Sequence, residues 1–243
     1  MTYHDRFPSR AVFPVIHIFS TAQVLESLAI AAEQGADGVF LIDHNGMRPD
    51  ALKQILSFIH KEGWFERLWI GANFLGIPNI DAFAISYDLQ LHGIWSDNAQ
   101  LLRSDAVIDP DAYRKGFNDS AGAWDRTVPL YFGGVAFKGQ PQHEDDTTEA
   151  AAAVSYVDVV TTSGPETGRA ASIEKLRRIR QAIGDHPLAV ASGVTPENVA
   201  DQLAYVDAVL VATGINLKGN FYRLDPDKLK RLVDITHSYQ PPN

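Results

Sequence analysis

Short apolar runs alternate with amphipathic stretches along the whole of this chain. AVFPVIHIF leads into TAQVLESLAIAAEQG, RLWIGANFLG into IDAFAISYDLQLH, VPLYFGGVAF into TTEAAAAVSYV, and PLAVASG into TPENVADQLAYV. Nearly continuous apolar runs, each followed by a helical period, are the pattern of parallel strands covered by helices. Three junctions share one construction: GADGVFLID (35–43), YVDVVTTSG (156–164) and YVDAVLVATG (205–214) each close a helical pattern, place an Asp and enter a β-rich run. The alternation predicts strands near 12–19, 38–43, 68–75, 93–97, 128–136, 158–163, 187–192 and 208–213.

Eight strand–helix units in 243 residues match an α/β architecture, a single (β/α)8 TIM barrel, whose usual length is about 250 residues. A doubly wound open sheet is the rival, but it usually has fewer strands at this length, and no GxGxxG follows the first strand. After GIWSDN the stretch LLRSDAVIDPDAYRKGFNDSAGAWDRT departs from the pattern and reads as a broken helix or a long loop. No Pro/Gly/Ser linker divides the chain, so residues 1–10 are read as an N-terminal arm and 11–243 as one barrel.

Composition narrows the functional classes. Hydrophobic residues make up 45% of the chain, enough for a large core. The net charge is -9, with 21 Lys and Arg scattered against 30 Asp and Glu, so no nucleic acid or anionic membrane is expected as a partner. A small anion can still be held by a local cluster of donors. Zero cysteines exclude disulfides, thiolate nucleophiles and cysteine-ligated metals. MTYHDRFPSR lacks the apolar stretch of a secretory signal, and no run approaches the ~18 apolar residues of a membrane span. The expectation is a soluble cytoplasmic protein without a transmembrane segment, assembling as a homo-oligomer.

In such a barrel the C-terminal strand ends carry the chemistry. Asp43, Asp97, Lys138 and His17 are the catalytic candidates there. An Asp at a strand end acts as a general base where an apolar pocket raises its pKa, or it caps a helix. His17 alternates with Val15 and Phe19 on one strand face, a place for either a packed or a catalytic imidazole. FGGVAFKG brings Lys138 to a strand end, where it can pair with phosphate or, desolvated, do Schiff-base or proton-transfer work. His44, Asn45, Asn73, Ser163, Gly164 and Thr167 are expected to line the pocket. No metal-binding spacing appears, so no dedicated metal site is expected, only Mg2+ accompanying a substrate phosphate. HEDDTTE, residues 143–149, reads as a solvated loop with a helix cap, long enough for a lid.

VASGVTPENV, residues 190–199, has a full structural explanation: Thr195 as N-cap, Pro196 at the first helical position and Glu197 at the positive helix end. It also has a functional one, because the loops after strands seven and eight of a barrel often hold phosphate, with a short extra helix. Gly193 and Gly214 let backbone N–H groups approach a ligand, and Ser192 and Thr213 offer hydroxyls. INLKGNFYRLD is long enough for the extra turn, and Lys218 or Arg223 can supply the countercharge. SGPETG, residues 163–168, is either a glycine-dependent turn or a loop whose N–H groups and Thr167 hydroxyl line the same mouth.

The order of DVVTTSGPETG, LAVASGVTPENV and VDAVLVATGINLKGNF resembles the BtpA/SgcQ family of (β/α)8 proteins, in which D-x-V-x-x-S-G-P-x-T-G precedes S-G-V-T-P-E-N and a last strand ending near a Lys and a Gly. The resemblance is strongest over 157–234 and extends to VIHIF and GADGVFLIDHN. It implies a barrel with an anion pocket. The family's name derives from a role in photosystem I biogenesis, and SgcQ-like members accompany sugar metabolism. Asp43-His44-Asn45 stands where the family's second strand has Glu-Asn, and GANFLGIPN lacks an Arg-Asn-Asp-like ending, so no catalytic residue is carried over. The reading is a small-molecule enzyme acting on a phosphorylated sugar, nucleotide or related metabolite by acid/base, isomerase- or lyase-like chemistry. The alternatives are a non-catalytic assembly or stability factor on the same scaffold and an FMN-binding barrel.

Overall fold

A computed structural model describes residues 2–44, 49–99, 129–140 and 146–240. Eight parallel strands close into a barrel in chain order: β1 (Ala11–His17), β2 (Gly38–Ile42), β3 (Trp69–Asn73), β4 (Gly93–Ser96), β5 (Leu130–Gly134), β6 (Val159–Ser163), β7 (Leu188–Ala191) and β8 (Ala208–Val211). β8 returns to β1 through the register Ala11↔Ala208 to Pro14↔Val211. Each expected apolar run contains or overlaps its strand. Among the described residues no helix is long and apolar enough to cross a membrane.

The strands are buried on both faces, and their period of two sorts the side chains into two cores. Val12, Val39, Ile70, Val160 and Val209 pack outward against the helices. Phe13, Phe40, Trp69, Trp95 and Phe132 fill the lumen. The lumen rings meet at close range, with Phe40 and Phe132 centroids 5.0 Å apart and Phe13 and Trp69 5.2 Å apart. Strand glycines make this possible: a Cβ on Gly93 would lie 2.2 Å from Trp69, and one on Gly71 2.5 Å from Phe40. A strand glycine costs roughly 0.5–1 kcal/mol, whereas a fully buried large apolar side chain contributes roughly 1.5–3 kcal/mol. The exchange favours the ring.

The first residues close the N-terminal end of the lumen. Thr2 and Asp5 form a reciprocal capping box that starts a one-turn helix, Tyr3–Arg6. Tyr3 and Phe7 are thereby buried in the lumen core, and the Tyr3 hydroxyl donates to the Asp207 carbonyl at 3.0 Å.

The repeated Asp junctions have a specific task. Asp37, immediately before β2, donates its N–H to the Val12 carbonyl and accepts the Val12 N–H on its carboxylate at 2.8 Å. Asp158 does the same with Tyr131 at 2.7 Å, and Asp207 with Leu188 at 2.9 Å. A fourth junction, before β4, uses His92: its N–H donates to the Ile70 carbonyl, and its Nδ1 accepts the Ile70 N–H at 2.9 Å. Each odd strand is therefore pinned at its start to the even strand that follows it.

An imidazole can accept at Nδ1 only when neutral. Burial, helped by Arg6, lowers the His92 pKa from 6.5 to about 4. The unfolded chain protonates His92 first on acidification, so this group's contribution to stability is fully present above about pH 6.5 and falls as pH is lowered toward 4. Replacing His92 by Asp restores an acceptor that stays ionised to about pH 4. Urea midpoints of the native chain and His92→Asp, measured between about pH 7 and 4.5, are expected to show a shallower acid loss in the variant, by up to about one proton. An unchanged slope would contradict the junction role.

Candidate functional site

At the C-terminal strand ends a cavity of about 240 Å³ opens into the barrel. Its floor is apolar, made by Val15, Ile42, Trp95, Ala191 and Leu210. Around the floor stand His17, His44, Asp97, Lys138 and Thr167, with Ser192, Gly193, Thr213 and Phe221 completing the lining. Three of the four catalytic candidates, His17, Asp97 and Lys138, thus share one cavity. Asp43 does not line it, although its charge raises the pKa of neighbouring His44. Asn45 lies outside the described residues.

Asp97 follows β4 and is held from β3: Asn73 Nδ2 donates to its Oδ1 at 3.0 Å. Asn73 is buried beneath it rather than lining the cavity. Burial raises the Asp97 pKa, while the Asn73 hydrogen bond and the charges of Lys138 and His44 pull the other way. His17, the last residue of β1, is buried and stacks on Phe221 with centroids 3.9 Å apart. Burial, with like charge from His44 and Lys138, lowers its pKa from 6.5 to about 3. Its Nδ1 has no hydrogen-bond partner among the described residues. His44 lies 4.9 Å from His17 ring to ring, and its pKa is lowered by burial and by Lys138.

Lys138 is delivered by the turn after β5. Its N–H donates to Ser163 Oγ at 2.8 Å, and its Nζ donates to Thr167 Oγ1 at 3.0 Å. SGPETG therefore supplies one buried anchor, Ser163, and one mouth residue, Thr167. Its first glycine is a packing glycine, because a Cβ on Gly164 would lie 1.9 Å from the Arg169 carbonyl oxygen. A Cβ on Gly193 (φ 65°) would meet the same segment, 2.1 Å from the Ala170 nitrogen, and one on Gly214 would lie 1.9 Å from the Val194 carbonyl oxygen. The loops after β6, β7 and β8 are thus interlocked backbone to backbone. Ser192, at φ 68°, occupies the left-handed region, which costs a non-glycine residue roughly 1–3 kcal/mol and recurs at functional sites.

Several expectations change. Lys218 is exposed and does not line the cavity, because the turn Leu217–Asn220 carries it away from the barrel. Arg223 is paired with Glu26 at 2.5 Å, so Lys138 is the cation that lines this mouth among the described residues. The extra helix after β8 is a 3-10 turn, Thr213–Ile215. Thr195 caps the turn that leads into the helix rather than the helix itself: its Oγ1 accepts the Glu197 N–H at 3.2 Å, the α-helix starts at Val199, and Asn198 ties the turn from the other end, accepting from Thr195 N and donating to the Gly193 carbonyl at 2.8 Å. In HEDDTTE, residues 143–145 lie outside the described residues, and Glu149 is buried rather than solvated. Among the described residues no three His, Asp or Glu side chains gather as a metal-binding group.

A neutral His17 is a direct consequence of this geometry and can be observed. In a two-dimensional NMR titration its ring signals are expected to stay in the neutral form until about pH 4, whereas a midpoint near the ordinary 6.5 would show that the buried ring is solvated and the site differently built.

Comparison with solved structures places the fold among TIM barrels. The structure titled "Native KDPGal structure" superposes with a TM-score of 0.64 at 14% identity, covering 93% of this chain and 94% of that one. Phosphoribosyl anthranilate isomerase from Thermus thermophilus gives 0.60 at 15% identity over 93% and 98%. 2-Keto-3-deoxy-6-phospho-gluconate aldolase from Zymomonas mobilis gives 0.62 at 11% over 99% and 98%. At these identities the likeness is one of fold. No curated protein matches the sequence. Residues 136–238, from the Lys138 turn to the last helix, match the model of the BtpA family.

Proposed function

We propose that this chain is a small-molecule enzyme acting on a phosphorylated sugar or related metabolite by acid/base chemistry of the isomerase or lyase kind. The observation that carries the reading is the composition of one cavity: a half-buried carboxylate with a raised pKa, Asp97, shares it with a Lys138–Thr167 pair and the Ser192–Gly193 turn. The Lys138 ammonium, the Thr167, Ser192 and Thr213 hydroxyls and the backbone around Gly193 and Gly214 suit a phosphate. Asp97, with its proton affinity increased, is the group to take a proton from carbon and return it, and Asn73 keeps it aimed. His17 stays neutral and so serves as a hydrogen-bonding wall rather than as an acid. The BtpA match and the names of the structural neighbours, two of which refer to phosphorylated sugars, agree with this reading. The cavity is smaller than the roughly 300–1,000 Å³ of drug-sized ligand sites, which favours a compact metabolite over a flavin.

Two measurements test it, and neither requires the product to be identified. Calorimetric titration with inorganic phosphate and a panel of sugar monophosphates should detect binding that Lys138→Met weakens by about tenfold or more. NMR in D2O should detect exchange of a substrate C–H with solvent, and Asp97→Asn should slow it by about 10²–10⁴-fold while binding persists. A folded chain that binds none of these anions overturns the proposal.

A further inference from the structure

Behind Lys138 stand two charged side chains that the proposed chemistry does not use. Residues 135–138 carry the chain from β5 to the mouth, and their four amides have four different partners. Val135 N–H donates to the Thr161 carbonyl at 2.8 Å, Ala136 N–H to Glu149 Oε2 at 3.1 Å, Phe137 N–H to Gln140 Oε1 at 3.1 Å and Lys138 N–H to Ser163 Oγ at 2.8 Å. Ala136 has φ 46°, a conformation that a residue with a Cβ rarely adopts. Lys175, from the helix Ile173–Ile183, reaches the same turn: its Nζ donates to the Ala136 carbonyl at 2.5 Å and to the Ser163 carbonyl at 2.8 Å.

Ala136 is therefore held from both sides by opposite charges, a carboxylate on its N–H and an ammonium on its C=O. Glu149 is only 6% exposed, and burial lowers the Lys175 pKa against the opposing charges of Asp146 and Glu149. Removing two charged groups from water to hold one turn is expensive unless the turn's geometry matters. Lys175 also steadies the second anchor, because the Ser163 whose carbonyl it holds accepts the Lys138 N–H through its hydroxyl.

We infer that Glu149 and Lys175 are positioning residues that lock the Ala136 turn and thereby set the Lys138 ammonium beside Thr167 in the mouth. The inference rests on the anion-binding reading for its consequence, and two readouts keep the two apart. The first is competitive acetylation of lysines by acetic anhydride across a pH series, read by peptide mass spectrometry, with exposed Lys61 as internal reference. Lys175→Met and Glu149→Leu are expected to raise Lys138 labelling about threefold or more and shift its pH profile, while Glu149→Gln, which keeps an acceptor oxygen, stays within about twofold. The second is inorganic phosphate affinity, expected to fall about tenfold in Lys175→Met but by less than about twofold when Lys138→Met is already present.

Absence of phosphate binding in the native chain would remove the anion reading and leave the labelling to decide the positioning role. Unchanged Lys138 labelling in folded Lys175→Met, or an equal rise at Lys61, overturns the inference. If Lys175→Met does not fold, Lys175→Gln and Glu149→Leu carry the same comparison.

Discussion

The barrel depends on a two-point hydrogen bond repeated at four places. Asp37, His92, Asp158 and Asp207 each give an N–H to, and take an N–H from, a residue at the start of the preceding odd strand. Because strand side chains alternate faces, a slip of one residue would exchange lumen and helix faces. Val12, Ile70, Tyr131 and Leu188 are the pinned residues, and all four belong to the core that packs against the helices. Their neighbours in alternation, Phe13, Val15 and His17 on β1 and Trp69, Gly71 and Asn73 on β3, are then obliged to face inward. The contacts at the foot of the barrel thus decide which polar groups arrive at its mouth. Arg180 reinforces one of them, joining the Asp207 carboxylate at 2.5 Å and the Tyr205 carbonyl at 2.8 Å from the helix outside.

What could be read in the sequence follows from this. Nearly continuous apolar runs reported parallel strands, since burial on both faces leaves that trace in any register. The three Asp junctions were visible as a repetition, but their partners lie 19 to 27 residues away along the chain, and the fourth junction uses a different residue type with the same acceptor capacity. Only the hydrogen-bond role unites Asp and His here. Likewise Gly71 and Gly93 look like weak points in their strands until Phe40 and Trp69 are seen in the space where their Cβ atoms would be.

The candidate site was legible to the extent that it is made by strand ends. His17, Asp97 and Lys138 were found by rank along the chain, whereas Glu149 and Lys175 come from helices and look like ordinary surface charges in sequence. Glu149 was hidden inside an acidic run that suggested solvent, and a reversal of exposure at one residue has no local signature. Lys218 shows the opposite failure: it lies in the loop that follows β8, yet the turn Leu217–Asn220 directs it elsewhere. Thr195 keeps its capping bond, accepting the Glu197 N–H, but the sequence did not show Asn198, whose amide accepts from Thr195 N and donates to the Gly193 carbonyl and so delays the regular helix to Val199.

The mouth also resolves an electrostatic difficulty posed by a chain of net charge -9. Burial moves Asp97 and His17 toward their neutral forms from opposite directions, raising the one pKa and lowering the other. Beside them Lys138 is the cation that lines the cavity among the described residues, in a chain whose acidic residues outnumber its basic ones. An anion placed beside Lys138 would offset the ammonium that now lowers the pKa of Asp97, and so raise that pKa further. On the proposed reading, binding and proton affinity would therefore be linked in one direction: an anion beside Lys138 would make the neighbouring carboxylate a better base.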